Sequence, residues 1–227
     1  MQNYIDKFNP KIKFLTGSIR QNHIIGIDEA GRGPLAGPVV VAGIKLESSI
    51  KYQVLRTKRL KDSKKLSAKQ REEWFEILTS HPQIKWAVAK ISPKVIDRIN
   101  ISQAANLGAL RVHKKLCGNC TSRLRLKNKV IVPEHGRGTT FLDGGLKLPP
   151  HIPHEAIIKG DEKISAISAA SIIAKVLRDR IMLRFHKKYP KYCFDLHKGY
   201  GTALHRERIK KFGRSDIHRK SFRIRDV

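Results

Sequence analysis

Short apolar runs alternate with polar stretches along the chain, and most of these runs have a glycine or a proline close to one end. Apolar runs of roughly four to eight residues with such boundaries are typical of buried β-strands. The pattern predicts strands at residues 24–28, 39–46, 86–91, 139–143 and 156–158. The short connection between the first two runs, residues 31–38, favours an antiparallel pair.

A helical pattern follows the second of these strands. Ser67 and Gln70 have the spacing of a capping box, in which two side chains satisfy the free amide groups at the beginning of a helix. Trp74, Phe75 and Leu78 then lie at helical spacing. We expect this helix to lie on one face of the sheet.

Two longer helices are predicted further along the chain. Asn100 caps one that ends near Gly118, after a helical turn that begins at Ser92-Pro93. Another covers about residues 164–186 and opens with small side chains at residues 165–171, which allow close approach to a sheet. Strands in a meander, followed by strands alternating with helices, predict an α/β fold with helices on both faces of the sheet.

The length of 227 residues is sufficient for one domain with a full-sized core. Residues 1–21 are polar and aperiodic, so we interpret them as an N-terminal extension. The remaining residues, 22–227, form one predicted domain that ends in a helical segment at about residues 190–227.

The charge of the chain indicates a polyanionic partner. Lysine and arginine number 47 against 19 aspartates and glutamates, a formal net charge of +28. Nucleic acid is the leading candidate, although ordinary lysine-rich surface composition accounts for part of the excess. No apolar run approaches the roughly 18 residues needed to span a bilayer. With three cysteines and no apolar leader, we expect a cytoplasmic protein without a membrane partner.

Four carboxylates occur where predicted strands end. Asp28 and Glu29 follow the first apolar run, Asp143 ends another, and Asp161 lies just after the last one. Any one of these acids is more often a turn residue or a helix cap. Together they predict a site for a hard divalent cation, Mg²⁺ or Mn²⁺, because such ions prefer oxygen ligands. Paired ions of this kind catalyse phosphodiester hydrolysis.

The segment Gly31-Arg32-Gly33 does not have the features of a nucleotide-binding loop. Its spacing is not that of the dinucleotide motif, Pro34 removes an amide, and the adjacent acids would repel a pyrophosphate. Glycines here more plausibly allow the backbone to approach a ligand such as a sugar hydroxyl.

Six segments of the chain are similar to motifs of the bacterial ribonuclease HII family. They are GIDEAGRGPLAGP at 26–38, DSKKLS at 62–67, LDG at 142–144, KGD at 159–161, ISAASIIAKV at 167–176 with RD at 178–179, and HKGYGT at 197–202. The chain therefore resembles this family from residue 24 to about residue 205. Arg32 favours it over the related HIII enzymes, which lack that arginine.

The resemblance implies a ribonuclease H-like fold with a five-stranded mixed sheet flanked by helices on both faces. It also implies a hydrolase that cuts the RNA strand of RNA/DNA hybrids and nicks duplex DNA at embedded ribonucleotides. We expect this enzyme to be a monomer. The cofactor would be Mg²⁺ or Mn²⁺. By motif position, the catalytic metal-binding residues of the family correspond to Asp28, Glu29, Asp143 and Asp161.

The resemblance also implies how substrate is bound. The loop of Gly31, Arg32 and Gly33 would sense the 2′-hydroxyl through its backbone, and Tyr200 would work with it by packing on the neighbouring sugar. Lys64 and Lys65 would approach backbone phosphates. Lys175 is a further candidate on physical grounds, because phosphate contacts set register without reading sequence. For each lysine, a solvated surface charge is the alternative.

The chain departs from the family pattern at about residues 117–140, where it carries a basic insertion. This insertion is either a loose loop or a nucleic-acid contact through Arg123, Arg125, Lys127 and Lys129. Its Cys-x-x-Cys pair, Cys117 and Cys120, is half of a zinc site that His113 and His135 could complete. Unreactive thiols are the favoured interpretation. His197, His205 and His218 are candidates for a proton relay, for phosphate contacts or for purely structural roles.

Two other functions are compatible with this composition. A protein that binds hybrids without cutting them would gain nothing from four mutually repulsive acids. A basic structural RNA-binding protein would not depend on Asp28.

Overall fold

The computed structural model describes residues 23–47, 66–118 and 138–224. These residues form a single mixed sheet of five strands in the order β3-β2-β1-β4-β5. The strands are β1 His23–Ala30, β2 Val39–Glu47, β3 Ile84–Ile91, β4 Gly138–Asp143 and β5 His154–Ile157. Strand β2 is antiparallel to both β1 and β3, whereas β4 is parallel to both β1 and β5. The predicted fold class and the antiparallel β1–β2 pair are confirmed.

The helices are α1 Ala68–Ser80, α2 Pro93–Ile99, α3 Ile101–Cys117, α4 Gly160–Lys163, α5 Ser165–Lys188, α6 Phe194–His197 and α7 Ala203–Phe212, with a 3₁₀ turn at Pro190–Tyr192. The predicted capping box is present: the Gln70 amide donates to Ser67 Oγ, and the Ser67 amide donates to Gln70 Oε1. Asn100 accepts from the Gln103 amide and so begins α3 as predicted.

Helices cover both faces of the sheet. On one face, α5 and α1 contribute to a core that contains Ala42, Ile44 and Trp74. On the other face, α3 packs over Ile27 and Val41 in a second core. Because β2 is buried on both sides, it has the nearly continuous apolar sequence that this position requires.

Helix α5 lies unusually close to the central strand. A side chain added at Gly26 of β1 would have its Cβ within 2.3–2.5 Å of backbone atoms of Ala166 and Ile167. Contact this close requires glycine on the strand and small residues at the beginning of the helix. The run of small side chains at residues 165–171 therefore has the close-packing role expected from the sequence.

Several boundaries differ from the sequence-based expectations. Strand β3 begins at Ile84, two residues before its predicted start, and β5 covers His154–Ile157 in place of residues 156–158. Strand β1 continues to Ala30, two residues past its predicted end, because pairing with β2 persists as far as Ala30 and Val40. In the C-terminal segment, predicted to be helical to residue 227, the last described helix ends at Phe212. Gly213 has φ 73, which favours glycine and ends that helix, and turns follow to residue 224.

The predicted extension, residues 1–21, and most of the insertion, residues 119–137, lie outside the described residues. None of the helices in the described ranges combines the length and the apolar character that a membrane crossing requires.

Candidate active site

The carboxyl ends of β1, β4 and β5 meet at one edge of the sheet. The parallel ladder between β1 and β4 ends at Ile27 and Leu142, and an aspartate follows in each strand, Asp28 and Asp143. Asp161 lies four residues past the end of β5, in α4. Open sheets of this kind form their sites at such an edge.

The turn after β5 holds Asp143 and Asp161 near each other. The Gly160 amide donates a hydrogen bond to Asp143 Oδ1 at 2.9 Å, and Asp161 is the next residue. Lys159 has a left-handed conformation with φ 54, which folds the chain back towards β4. Asp161 is buried at 4% exposure. The hydrogen bond therefore brings the third and fourth predicted acids to the same place.

Asp28 is buried beneath this edge and is oriented by two neighbours. Its Oδ1 accepts from the Glu29 amide at 2.7 Å, and Ser171 of α5 also hydrogen-bonds to its side chain. Burial raises the pKa of Asp28 well above its usual range, and the nearby charges of Glu29 and Asp143 raise it further. The carboxylate thus lies among like charges in a poorly solvated position.

Glu29 has a cationic partner for one of its two oxygens. Arg32 Nε donates to Glu29 Oε1 at 2.9 Å, while Arg32 Nη2 donates to the Gly145 carbonyl at 2.8 Å. Burial raises the pKa of Glu29, the charge of Arg32 opposes that shift, and Asp143 adds to it. Arg32 therefore links the end of β1 to the turn that follows Asp143.

The acidic edge, by which we mean Asp28, Glu29, Asp143 and Asp161, fits a divalent cation by its chemistry. All its side-chain donors are carboxylate oxygens, which Mg²⁺ and Mn²⁺ prefer. Glu29 Oε2 is buried and has no hydrogen-bond partner within the described ranges. Burial is the main cause of the raised pKa values of Asp28 and Glu29, and the charge of Asp143 adds to both shifts, so a bound cation would favour the charged forms of these acids. Within residues 23–47, 66–118 and 138–224, no group of three or more acidic, histidine or cysteine side chains has an arrangement that could already hold a metal ion.

Comparison with known proteins identifies the family. A family model described as Ribonuclease HII matches residues 25–224, most of the chain. The chain belongs to the ribonuclease HII family. It is accordingly a hydrolase, an endoribonuclease of the ribonuclease H type.

Relatives of this ribonuclease HII chain match nearly its whole length. A Ribonuclease HII from Chlorobium phaeobacteroides is 41% identical over 90% of this chain and 91% of its own. The ribonuclease HII of Archaeoglobus fulgidus, solved in complex with PCNA, is 28% identical with a TM-score of 0.64, covering 87% of this chain and 92% of that one. The Bst ribonuclease HIII, solved with Mn²⁺, has a TM-score of 0.64 at 19% identity over 86% of this chain and 64% of its own, which shows the shared fold alone.

The predicted sugar-sensing loop, residues 31–33, lies beside Tyr200. The Leu35 amide, just after the loop, donates to the Gly199 carbonyl at 2.8 Å. The Tyr200 ring is 42% exposed and lies 5.5 Å from the guanidinium carbon of Arg178. Gly33 is exposed, and a Cβ added there would meet nothing within 4 Å. The structure therefore brings the loop and the tyrosine together, with open space around Gly33.

Of the three predicted phosphate-binding lysines, the structure describes one. Lys64 and Lys65 lie outside the described residues. Lys175 is described, and its Nζ is 2.9 Å from Asp179 Oδ1 and 6.0 Å from the centre of the Tyr200 ring. Lys175 therefore lies near Tyr200 and forms an ion pair with Asp179 of the same helix.

The three histidines considered for a proton relay form a buried group, which we call the histidine stack (His197, His205 and His218). The rings of His197 and His205 stack with centres 4.2 Å apart. His205 Nε2 lies 3.1 Å from His218 Nε2, and His205 Nδ1 lies 2.9 Å from the Tyr200 carbonyl. These contacts give the stack a structural role beneath the Tyr200 turn.

The histidine stack is held neutral. Burial, with the charges of neighbouring histidines, lowers the pKa of His205 to about 3. Burial lowers the pKa of His218 to about 4, and the charges of Arg214 and His197 lower it further. The Ser215 amide donates to His218 Nδ1, so the other nitrogen of the neutral ring carries the proton and donates to His205.

Sequence reasoning gave no role to two arginines that the structure places under the loop. Arg178 and Arg219 are 0% and 1% exposed, and both donate to backbone carbonyls of the segment after β1. Arginine is seldom buried, and this chain has 47 basic residues. The RD motif at residues 178–179 was the available signal for one of them, and nothing local marked Arg219.

Cys117 of the Cys-x-x-Cys pair is described, and Cys120 is not. Cys117 Sγ lies 3.4 Å from His113 Nε2, and Thr140 Oγ1 lies 3.4 Å from His113 Nδ1. Burial lowers the pKa of His113, and His154 and His23 lower it further. This group lies at the amino end of β1 and β4, away from the acidic edge.

Proposed function

We propose that this enzyme hydrolyses the RNA strand of RNA/DNA hybrids and nicks duplex DNA on the 5′ side of single embedded ribonucleotides. The observation that carries the proposal is the position of the acidic edge beside the loop of Gly31, Arg32 and Gly33, with Tyr200 next to that loop. A phosphate-cutting group and a ribose-sensing group would thus act on one nucleotide.

Asp28, Glu29, Asp143 and Asp161 would hold Mg²⁺ or Mn²⁺. When bound, a pair of such ions lowers the pKa of the attacking water and stabilises the leaving oxygen. Hydrogen bonds orient two of these acids: Ser171 hydrogen-bonds to the Asp28 side chain, and the Gly160 amide donates to Asp143. Arg32 holds one oxygen of Glu29 and leaves the other available.

In the reaction, water adds to the phosphorus and the bond to the 3′ oxygen of the preceding nucleotide breaks. The products would carry a 3′-hydroxyl and a 5′-phosphate. RNA and DNA strands differ chiefly by the 2′-hydroxyl, so backbone groups of residues 31–33 and the exposed Tyr200 ring are sufficient to tell them apart without reading bases. The net charge of +28 supports phosphate contacts that make binding weaker at high salt.

Lys64, Lys65 and the basic insertion are proposed to contribute to those phosphate contacts. We propose further that the enzyme acts as a monomer in the cytoplasm.

The test uses an end-labelled DNA duplex that contains one ribonucleotide, with an all-DNA duplex of the same sequence as the matched control. We expect one cut on the 5′ side of the ribonucleotide with Mg²⁺ or Mn²⁺ and no cut with EDTA. The all-DNA duplex should stay intact. An RNA/DNA hybrid of the same sequence tests the second activity. Cutting that survives EDTA, or equal cutting of the all-DNA control, would contradict the proposal.

A further inference from the structure

The backbone carbonyls of residues 31–38 are held from below by two buried guanidinium groups. Arg219 donates through Nε to Gly37 at 3.0 Å, through Nη1 to Arg32 at 2.8 Å and through Nη2 to Gly31 at 2.6 Å. Its own amide donates to the Leu35 carbonyl at 2.8 Å. One residue near the C-terminal end of the described chain thus makes four hydrogen bonds to a loop more than 180 residues earlier.

Arg178 holds the other end of the same segment. It donates to the Pro38 and Ala36 carbonyls at 3.3 Å each, and to the Lys198 carbonyl at 3.0 Å. A Cβ added at Gly31, which has φ 94, would lie 2.0 Å from Arg178 Nε. The loop therefore rests directly on this side chain. We call Arg178 and Arg219 the arginine platform.

Neither platform residue has a carboxylate within salt-bridge distance in the part of the chain that the structure describes. A buried cation without such a partner is costly unless hydrogen bonds compensate it. All three donor nitrogens of Arg219 are occupied by carbonyls of the loop. Arg178 Nη1, in contrast, has no partner within those residues. Of the two arginines, Arg219 therefore has the more complete set of hydrogen bonds to the loop.

Because the peptide bond is planar, a hydrogen bond that fixes the carbonyl of one residue also fixes the direction of the next residue's amide. In a trans peptide the carbonyl of one residue and the amide of the next point in opposite directions, and the described chain contains no cis peptide. Fixing the Gly31 carbonyl therefore fixes the Arg32 amide, and fixing the Arg32 carbonyl fixes the Gly33 amide. Neither amide has an acceptor among the residues described. Both point away from Arg219.

We propose that Arg219 is a positioning residue for ribose recognition, which sets the direction of the Arg32 and Gly33 amides by holding the carbonyls behind them. This inference rests on the proposed function, in which that loop senses the 2′-hydroxyl. Arg219 does not touch substrate; it acts through the loop. A planar guanidinium suits this role because its donors form a rigid fork, whereas lysine offers a single point charge.

The test measures binding in an Asp28→Asn background, which prevents cutting. The dissociation constant is measured for a duplex with one ribonucleotide and for the same duplex in all-DNA form, and their ratio is the ribose preference. We expect Arg219→Gln to reduce this preference by on the order of tenfold or more, because small misplacements of a recognition group have large effects. Affinity for the all-DNA duplex should change little.

Arg214→Gln is the matched control. Arg214 belongs to the same C-terminal turn and donates to the carbonyls of Arg219, Lys220 and Phe222, but to none in the loop. It should lower the thermal midpoint and leave the ribose preference unchanged. Arg219→Lys keeps the charge and loses the fork, so it should also lose preference, and it serves as the test variant if Arg219→Gln does not fold.

The outcomes separate the two proposals. An Arg219 variant that keeps the ribose preference of its parent would overturn the positioning role and leave the proposed function intact. An equal loss of affinity for both duplexes would also overturn it, since that result indicates general loss of structure. A parent protein with Arg219 intact and no preference for the ribonucleotide would instead overturn the proposed ribose recognition.

Discussion

The acidic edge and the arginine platform are neighbouring buried groups of opposite charge, and they differ in how completely hydrogen bonds satisfy them. Asp28 and Glu29 are buried next to each other and to Asp143, with raised pKa values and one carboxylate oxygen of Glu29 unpartnered within the described residues. Arg219 is buried as deeply, yet three backbone carbonyls accept its hydrogen bonds. Both groups bear a cost of burial, since burial and the nearby charge of Arg178 lower the pKa of Arg219 to about 9. The difference lies in the hydrogen bonds: each guanidinium nitrogen of Arg219 has an acceptor, whereas the acids are satisfied only in part.

This difference separates groups that face a ligand from groups that hold the site in shape. A charge that must bind a cation is useful only if the protein does not already neutralise it, so the acidic edge lowers the stability of the protein without metal. A charge that positions a loop must be satisfied in every state of the enzyme. We therefore expect changes at the acidic edge to affect activity without loss of stability, and changes on the platform side to affect ribose recognition together with stability.

The largest expected effect comes from Asp28→Asn. Loss of one carboxylate from the acidic edge should reduce hydrolysis of the ribonucleotide duplex by at least about 10³-fold, because the charge stabilisation involved contributes several kcal/mol. The same change removes a buried charge with a raised pKa. It should therefore raise the stability at neutral pH by about 1 kcal/mol, or about 3 °C in the thermal midpoint.

Asp216→Asn provides the control for that experiment, since Asp216 is an exposed acid outside the acidic edge. It should leave both activity and the thermal midpoint unchanged. If Asp28→Asn unfolds the protein instead, Asp28 is a structural residue and the comparison between the two regions fails.

The second prediction concerns the response to metal. Mg²⁺ or Mn²⁺ at about 100 times its dissociation constant should stabilise the folded protein by about 2.7 kcal/mol. For a chain of this size the thermal midpoint should rise by roughly 5–10 °C, and EDTA should reverse the shift. Arg214→Gln should show the same metal shift, because Arg214 lies in the C-terminal turn and not at the acidic edge. A full shift in Asp28→Asn would mean that the metal binds elsewhere.

The acidic edge was predictable from sequence for a local reason. Each of its strands is an apolar run that ends near an acid and a glycine, and parallel strands bring such ends together. The capping box at Ser67 and the small residues before Ser171 are equally local signals, and both are confirmed in the structure. The metal-binding roles of these acids stay predictions.

The arginine platform and the histidine stack were not predictable in this way. Burial of Arg219 depends on carbonyls of Gly31, Arg32 and Gly37, which are far away in sequence. In a chain this basic, an arginine near the C-terminus has the pattern of a solvated surface residue. The roles of His205 and His218 stayed open for the same reason, since their partners are one another and a distant turn.

The third prediction concerns Tyr200, whose ring lies 5.5 Å from the guanidinium carbon of Arg178 in the platform. Tyr200→Ala should reduce activity on the single-ribonucleotide duplex by about tenfold, because packing of an aromatic ring on nucleic acid contributes about 1–3 kcal/mol. Activity on a long RNA/DNA hybrid should fall less, since many ribonucleotides can occupy the site. Tyr200→Phe keeps the ring and should retain most activity on both substrates. Equal losses on the two substrates would contradict this division of roles.

The smallest expected effect is a difference in acid sensitivity between the acidic edge and the histidine stack, whose His218 precedes Arg219 of the platform in the chain. Histidine titrates near 6.5 in an unfolded chain, whereas the pKa values of His205 and His218 are about 3 and about 4 in the folded protein. The unfolded state then binds more protons below about pH 6.5. Stability from the histidine stack is therefore complete above that pH and is lost as the pH falls. Asp28 and Glu29, with raised pKa values, act in the opposite direction, because acidification relieves their repulsion.

Urea unfolding at about pH 7.5 and about pH 5 distinguishes these contributions. His205→Asn should be less stable than wild type at the higher pH by about 1–3 kcal/mol, because the His218 ring loses its acceptor, and should lose less stability on acidification. Asp28→Asn should lose more on acidification than wild type, since it lacks the compensating relief of repulsion. His151→Gln, a change at an exposed histidine outside the stack, should follow wild type at both pH values. Parallel pH dependence in all four proteins would mean that neither the histidine stack nor the acidic edge determines the acid sensitivity of the protein.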